Sequence, residues 1–246
     1  MENLKGKKAL VTGGNSGIGY AAAKELKAQG AEVIITGRRE EAVLKAAAEL
    51  GVTGLVSDQG KVTAIESLAA EVTEKFGKLD ILFINAGVLG GASIEGAKEE
   101  DFDYVMDVNF KGAFFTLSRF IPILNDGASV VFLSSNVASM NAANSSIYSS
   151  SKAAINSVMK IAAAELAPRK IRVNAISPGP TQTEILNKLG LDDASRKGLD
   201  DLMISKTPLR KLGTAEDVAK LVSYFSGDAA TFITGAEIII DGGFSL

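Results

Sequence analysis

The chain of 246 residues contains no Cys, no His and no Trp. Those absences exclude a zinc site of the usual donor set, an iron–sulfur cluster, a disulfide, a thiol nucleophile and an imidazole base. Acid–base chemistry falls to Asp, Glu, Lys or Tyr, and no metal site is expected. Charge of one sign is also scarce: 26 Lys plus Arg against 29 Asp plus Glu leave a net charge of −3. With no long run of like charge, neither a nucleic acid nor an anionic membrane is an expected partner. Long apolar runs are missing too. Before Thr12 the opening MENLKGKKALVTGG offers only Ala9, Leu10 and Val11 in succession, too few for a signal-peptide core. No later stretch approaches the roughly 20 residues that span a bilayer. The expectation is a soluble, cytoplasmic protein, and a 46% hydrophobic content is ample for a buried core.

Short runs rich in Val, Ile and Leu recur at residues 8–12, 32–36, 53–57, 79–85, 129–134, 171–177 and 237–241. Several are continuously apolar, such as Ile81-Leu82-Phe83-Ile84, which suits parallel strands covered on both faces. Between them lie segments of helical spacing: Ile18, Ala22 and Leu26; Val218, Leu221, Val222 and Phe225; and an Ala-rich stretch from Ile147 to Ala167. Thr214-Ala215-Glu216-Asp217 places a hydroxyl and a carboxylate where they cap a first helical turn. The alternation predicts an α/β fold of the Rossmann type: a doubly wound, mostly parallel seven-stranded sheet with helices on both faces. No linker or repeat divides residues 1–246, so one domain is expected. The one long interruption, residues 180–213, reads as a substrate lid or as a solvated excursion.

After the first strand comes Gly13-Gly14-Asn15-Ser16-Gly17-Ile18-Gly19, leading into a helix. Glycines in that context permit a tight turn and let backbone amides reach a pyrophosphate at the helix's positive end. Other polar or Gly-containing clusters fall at strand ends, where ligands bind in such sheets: Asn85-Ala86-Gly87, Ser134-Ser135-Asn136 and Ser177-Pro178-Gly179. Asn85-Ala86-Gly87 also suits a plain turn. Asp58 either accepts from an adenine amino group or caps a loop. Where an NAD site usually carries a carboxylate for the ribose hydroxyls, this chain has Gly37 followed by Arg38 and Arg39, whose guanidinium forks suit a 2′-phosphate. The reading is NADP(H) in preference to NAD(H), with NAD(H) the alternative and a solvated turn the bland explanation.

Tyr148 and Lys152 stand four residues apart near a helix start and share a face. A nearby ammonium favours a phenolate and lowers the phenol's pKa, although Tyr148 also suits packing. Ser135 lies upstream with a hydroxyl to offer a substrate oxygen. Over nearly its whole length the chain resembles the short-chain dehydrogenase/reductase family in its single-domain form. The motifs are Thr12-Gly13 with Gly17 and Gly19, Asp58, Asn85-Ala86-Gly87, Asn109, Ser135, Tyr148, Lys152, Pro178-Gly179, Thr183, Ile233-Thr234-Gly235 and Asp241-Gly242-Gly243.

The resemblance implies a hydride transfer between nicotinamide and a carbonyl or secondary alcohol of a small-molecule substrate. Tyr148 then exchanges a proton with the substrate oxygen, and Ser135 hydrogen-bonds that oxygen. Lys152 holds the nicotinamide ribose and lowers the pKa of Tyr148, Asn109 supports a water chain, Thr183 binds the carboxamide, and the chain forms a homotetramer. Ser16 stands where NADP-preferring members often carry a basic residue. Members acting on acyl-carrier-protein substrates tend to present basic residues near the site entrance, and the segment before the fifth strand is Asn125-Asp126-Gly127, so 3-oxoacyl-carrier-protein reduction is the alternative activity. A non-catalytic NADP(H)-binding sensor or scaffold is the alternative outside enzymes. The Asn136–Ser146 segment is expected to be a polar pocket wall or a hydrogen-bonded loop.

Overall fold

The structure is a computed structural model describing residues 3–140, 142–182 and 192–246. Its strands are β1 (Lys8–Val11), β2 (Glu32–Gly37), β3 (Thr53–Val56), β4 (Leu79–Ile84), β5 (Leu124–Leu133), β6 (Arg172–Pro178), β7 (Thr181–Gln182), β8 (Gly213–Thr214) and β9 (Glu237–Ile240). Seven form one sheet of order β3-β2-β1-β4-β5-β6-β9, every neighbouring pair parallel. The short β7 and β8 form a separate parallel pair. The helices are α1 (Gly17–Ala28), α2 (Glu40–Leu50), α3 (Val62–Phe76), α4 (Glu99–Met106), α5 (Ala113–Phe120), α6 (Ser146–Leu166), α7 (Asp193–Lys206) and α8 (Ala215–Ser226), with a π-helical turn over Asp107–Gly112 joining α4 to α5.

The continuous apolar runs follow from burial on both faces. Successive strand residues point to opposite sides of a sheet. Leu10, Leu82, Val130 and Val173 therefore meet α3, α5 and α6 in one core. Val11, Phe83, Val131 and Ile176 meet α1, α2 and α8 in the other. The helix start expected at Thr214 is present: Asp217 N donates to Thr214 Oγ1 at 3.1 Å, and Thr214 N donates to Asp217 Oδ2 at 3.0 Å.

Chain order runs outward from β1 to β3 on one side and from β4 to β9 on the other. The divergence opens a crevice beyond the carboxyl ends of β1 and β4. The fifth strand begins at Leu124 rather than at residue 129, because pairing with β4 resumes past a register shift between Leu79 and Ile81. This corrects the expectation about Asn125-Asp126-Gly127. These residues lie at the amino end of β5, opposite the crevice, where Asn125 Nδ2 donates to Asp80 at 3.0 Å and Arg169 bonds Asp126 at 2.8 Å. They carry no information about what approaches the site.

Candidate active site

The crevice begins with the turn after β1. Gly13 and Gly17 adopt φ of 65° and 54°, a region that only glycine enters cheaply. The amino end of α1 has no capping side chain and no acidic residue in its first turn, so its positive end stands uncompensated. Gly19 brings α1 hard against the turn: a Cβ there would overlap the Gly13 carbonyl and lie 2.6 Å from Asn85 Nδ2. Asn85 Nδ2 donates to the carbonyls of Thr12 at 2.8 Å and Gly13 at 3.1 Å. In return, Thr12 Oγ1 accepts from Asn85 N at 2.9 Å and Ala86 N at 3.1 Å. Asn85-Ala86-Gly87 is therefore a brace across two strand ends, and Thr12 is its other half.

A cleft of about 510 Å³ is lined by Gly13, Asn15, Ser16, Gly17, Ile18, Gly19, Arg38, Arg39, Asp58, Asn85, Ala86, Gly87, Tyr148 and Lys152, a volume in the range of small-molecule sites. Thr36, Ser57 and Leu133 also line it. Sequence reasoning named none of these three, yet each stands at or just beyond the carboxyl end of its strand, which is the signal that would have found it. Val88 and Val108 line it as well, with no such signal. Arg38 and Arg39 are exposed, and Arg38 Nη2 reaches the Tyr104 hydroxyl at 3.5 Å. Asp58 Oδ1 accepts from Gly60 N at 3.1 Å, so it caps its own turn while facing the cleft.

At the far end, Lys152 Nζ donates to the Leu133 carbonyl at 2.8 Å and lies 5.8 Å from the Tyr148 ring centroid. Burial brings the Lys152 ammonium down to about 8. The Tyr148 ring is half-buried in the cleft wall. Packing around its hydroxyl pushes the phenol up, and a hydrogen bond with Ser135 pulls the other way. This corrects the expectation that Lys152 holds the phenol below its ordinary value. The lysine's charge is itself disfavoured by burial and its head is directed at a carbonyl, so desolvation decides the direction.

Ser135 caps the turn that follows β5, its Oγ accepting from Val137 N at 3.4 Å. Asn109, 1% exposed, lies behind the cleft in the π-helical turn. Its Oδ1 accepts from Val88 N at 2.8 Å, and its Nδ2 donates to Val88 O at 3.0 Å and Ser151 Oγ at 3.2 Å. Its side chain thus ties the exit of β4 to α6.

Other expected residues make contacts of their own. Pro178 and Gly179 are not among the residues lining this cleft; Pro178 pairs with Ile240, and Gly179 N donates to Ile240 O at 3.0 Å. Asn136 is buried, donates to Asp241 Oδ2 at 3.4 Å and does not line this cleft. Ser145 bonds Ala142 O at 2.6 Å and Ser149 Oγ at 2.8 Å, the hydrogen-bonded-loop alternative. Thr183 and Asn141 lie outside the described residues. Among the described residues, no group of three or more acidic side chains is placed to hold a metal ion, and no helix is long and apolar enough to cross a membrane.

Residues 13–245 match the family described as Enoyl-(Acyl carrier protein) reductase. The human dehydrogenase/reductase SDR family member 4 is 35% identical over 98% of this chain and 88% of its own. The short-chain dehydrogenase/reductase SDR:glucose/ribitol dehydrogenase from Brucella melitensis superposes with a TM-score of 0.93 at 29% identity, covering 99% of this chain and 98% of that one. A blue fluorescent protein from a metagenomic library, solved in complex with NADPH, superposes with a TM-score of 0.91 at 26% identity, covering 99% and 100%. A sheet of this topology, with a tyrosine and a lysine at its cleft and reductases among its relatives, defines an NAD(P)-dependent oxidoreductase working between CH–OH and C=O. The chain belongs to the short-chain dehydrogenase/reductase family.

Proposed function

We propose that this protein is an NADP(H)-dependent oxidoreductase that moves a hydride between nicotinamide and a small carbonyl or secondary alcohol, with Tyr148 as proton donor and acceptor. The observation that carries the reading is one continuous cleft joining the uncapped amino end of α1 to Tyr148 and Lys152. The residues fit a dinucleotide. The α1 amino end and the amides of the Gly13–Gly19 turn would hold the pyrophosphate, Arg38 and Arg39 would hold a 2′-phosphate, and Lys152 would reach the nicotinamide ribose. When bound, the cofactor supplies the hydride.

The protein's own part is the proton. Burial keeps the Tyr148 phenol protonated, an acid ready to give its proton to a carbonyl oxygen that gains charge during reduction. Ser135, bonded to Tyr148, offers its hydroxyl to the same oxygen and stabilises that charge. A protonated Lys152 then favours the phenolate left behind. Asn109 acts through Val88 and Ser151, holding the cleft floor against α6.

NADP(H) over NAD(H) rests on Gly37, Arg38 and Arg39 and is supported by the NADPH complex of one structural neighbour. A panel of aldehydes, ketones and an acyl thioester, run with NADPH and NADH in parallel, tests the reading. Carbonyl-dependent loss of NADPH absorbance is expected. Preference for NADH refutes the cofactor assignment, preference for the thioester moves the substrate to the carrier-protein class, and silence throughout favours a non-catalytic binder.

A cytoplasmic location without membrane or nucleic-acid partners goes with this reading. Association of copies into a tetramer is supported by apolar side chains left half-exposed on α5 and α6, Phe114 at 43% and Ile161 at 55%. A sedimentation profile of monomer alone refutes it.

A further inference from the structure

The helix that α4 and α5 share is interrupted by the π-helical turn over Asp107–Gly112, a rare form in proteins. Two successive residues of this turn serve different parts of the site. Val108 lines the cleft together with Asp58 and Gln59, and Asn109 ties Val88 to Ser151 behind Tyr148 and Lys152. What holds the turn comes from outside the helix. Gly112 is buried against the segment that follows β3: a Cβ there would overlap the Gln59 carbonyl oxygen and lie 2.9 Å from Gln59 Cγ. That approach is to backbone and cannot yield cheaply. One helical turn further on, Thr116 Oγ1 accepts from Gln59 Nε2 at 2.6 Å, with Gln59 8% and Thr116 1% exposed. A polar pair buried so deeply is costly unless both partners are kept.

We propose that Gln59 and Thr116 are a positioning pair for the reaction. Their hydrogen bond docks the Ser57–Gly60 segment on the π-helical turn, so that the cofactor wall at Asp58 and Val108 and the Asn109 brace behind the proton donor are set by one contact. Each acts through its neighbours: Gln59 through the segment that carries Asp58, Thr116 through the turn that carries Asn109. This rests on the reading of the cleft as a dinucleotide site and adds a link between its cofactor wall and its proton donor. A π turn holds one residue more than an α turn. Relaxation toward α geometry, once the bond is gone, therefore moves Val108 and Asn109 together.

The test is a double-mutant cycle on the full chain with Gln59→Met, Thr116→Val and both together, beside Thr116→Ser, which keeps the hydroxyl. Met and Val fill nearly the space of the residues they replace and remove only the bond. Well below the melting temperature and at saturating NADPH, each single variant is expected to lose about five- to tenfold in kcat and to raise the NADPH Kd about fivefold, while KM for the carbonyl changes by less than about twofold. Because the pair is one contact, the double variant is expected to lose no more than either single. Thr116→Ser is expected to stay within about twofold of the parent throughout. If Gln59→Met does not fold, Thr116→Val compared with the parent and with Thr116→Ser decides. Variants that melt earlier but keep the parent's kcat and Kd show a merely structural bond and overturn the proposal. So do additive losses in the double variant, and so do equal losses in Thr116→Val and Thr116→Ser, which trace the effect to shape instead of the hydroxyl. An unmutated protein that binds neither NADPH nor NADH removes the reading beneath the proposal and the proposal with it, and that result is separate from the cycle.

Discussion

Two regions of the molecule are built in different ways. At the Gly13–Gly19 turn, Asn85 hydrogen-bonds Thr12 and Gly13 across the ends of β1 and β4, and Gly19 packs α1 hard against them. Elsewhere the described elements are lightly anchored. Residues 93–98 and 142–144 are exposed, α7 buries none of its residues, and β7 and β8 pair over two residues each. Close packing fixes chemistry common to many substrates, whereas choice among them falls to segments with little buried surface that tolerate change.

The sharpest way to test the rigid end is to remove its acid. Tyr148→Phe keeps the ring and deletes the proton, so kcat is expected to fall by about 10³-fold, within the usual span for a general acid, with the cofactor Kd nearly unchanged. Stopped-flow turnover beside a fluorescence titration of NADPH separates the two, and near-full turnover would reject the role. Gly19→Ala comes next. Its methyl group meets the Gly13 carbonyl, backbone against backbone, so neither side yields without moving α1. A loss of about 2–3 kcal/mol in urea unfolding is expected, with cofactor affinity weakened at least tenfold. Unchanged affinity would mean that the turn does not hold the pyrophosphate.

How much of this was readable beforehand depended on whether a feature is local. The central strands were legible because burial on both faces makes runs such as Ile81–Ile84 continuously apolar, whereas the apolar run of β9 is partly exposed. The Gly13–Gly19 turn was legible because its conformation demands glycine. Tyr148 and Lys152 were legible as a pair on one helical face, but the direction of the Tyr148 shift was not. It depends on how deeply the fold buries the hydroxyl, which spacing along a helix does not reveal. Asn109 was legible only through the family pattern, because the brace its side chain makes to Val88 crosses 21 residues and leaves no local mark. The location of Asn125-Asp126-Gly127 was misread because polar residues can open a strand whose apolar part begins later.

Lys152 gives a pH test of smaller size. Its ordinary value of 10.5 falls to about 8 in the fold. Between those values the unfolded chain binds the extra proton, so stability rises with pH across that window. Below pH 8 the fold carries the full cost of burying a charge. Lys152→Met is therefore expected to be more stable than the parent at pH 7, by about 2–3 kcal/mol, and to lack the parent's rise between pH 8 and 10. Parallel curves for the two proteins would place the ammonium in water instead. Arg38→Gln is smaller again. Losing one charge-assisted contact is expected to raise the NADPH Kd about tenfold and leave NADH unaffected, and equal losses for both cofactors would show that the arginine holds something other than the 2′-phosphate.

The least effect on stability is expected at the loose end, and that is its interest. Leu202 on α7 is 51% exposed, an apolar side chain on a helix with no buried residue to anchor it. Leu202→Ser removes little from the core, so stability should change by less than about 0.5 kcal/mol. If α7 is the wall of a substrate site, the same change moves KM for the carbonyl several-fold and leaves KM for NADPH alone. A drop in melting temperature comparable to that of Gly19→Ala would mean that α7 is part of the packed framework, and the contrast between the two ends would fail at the element on which it most depends.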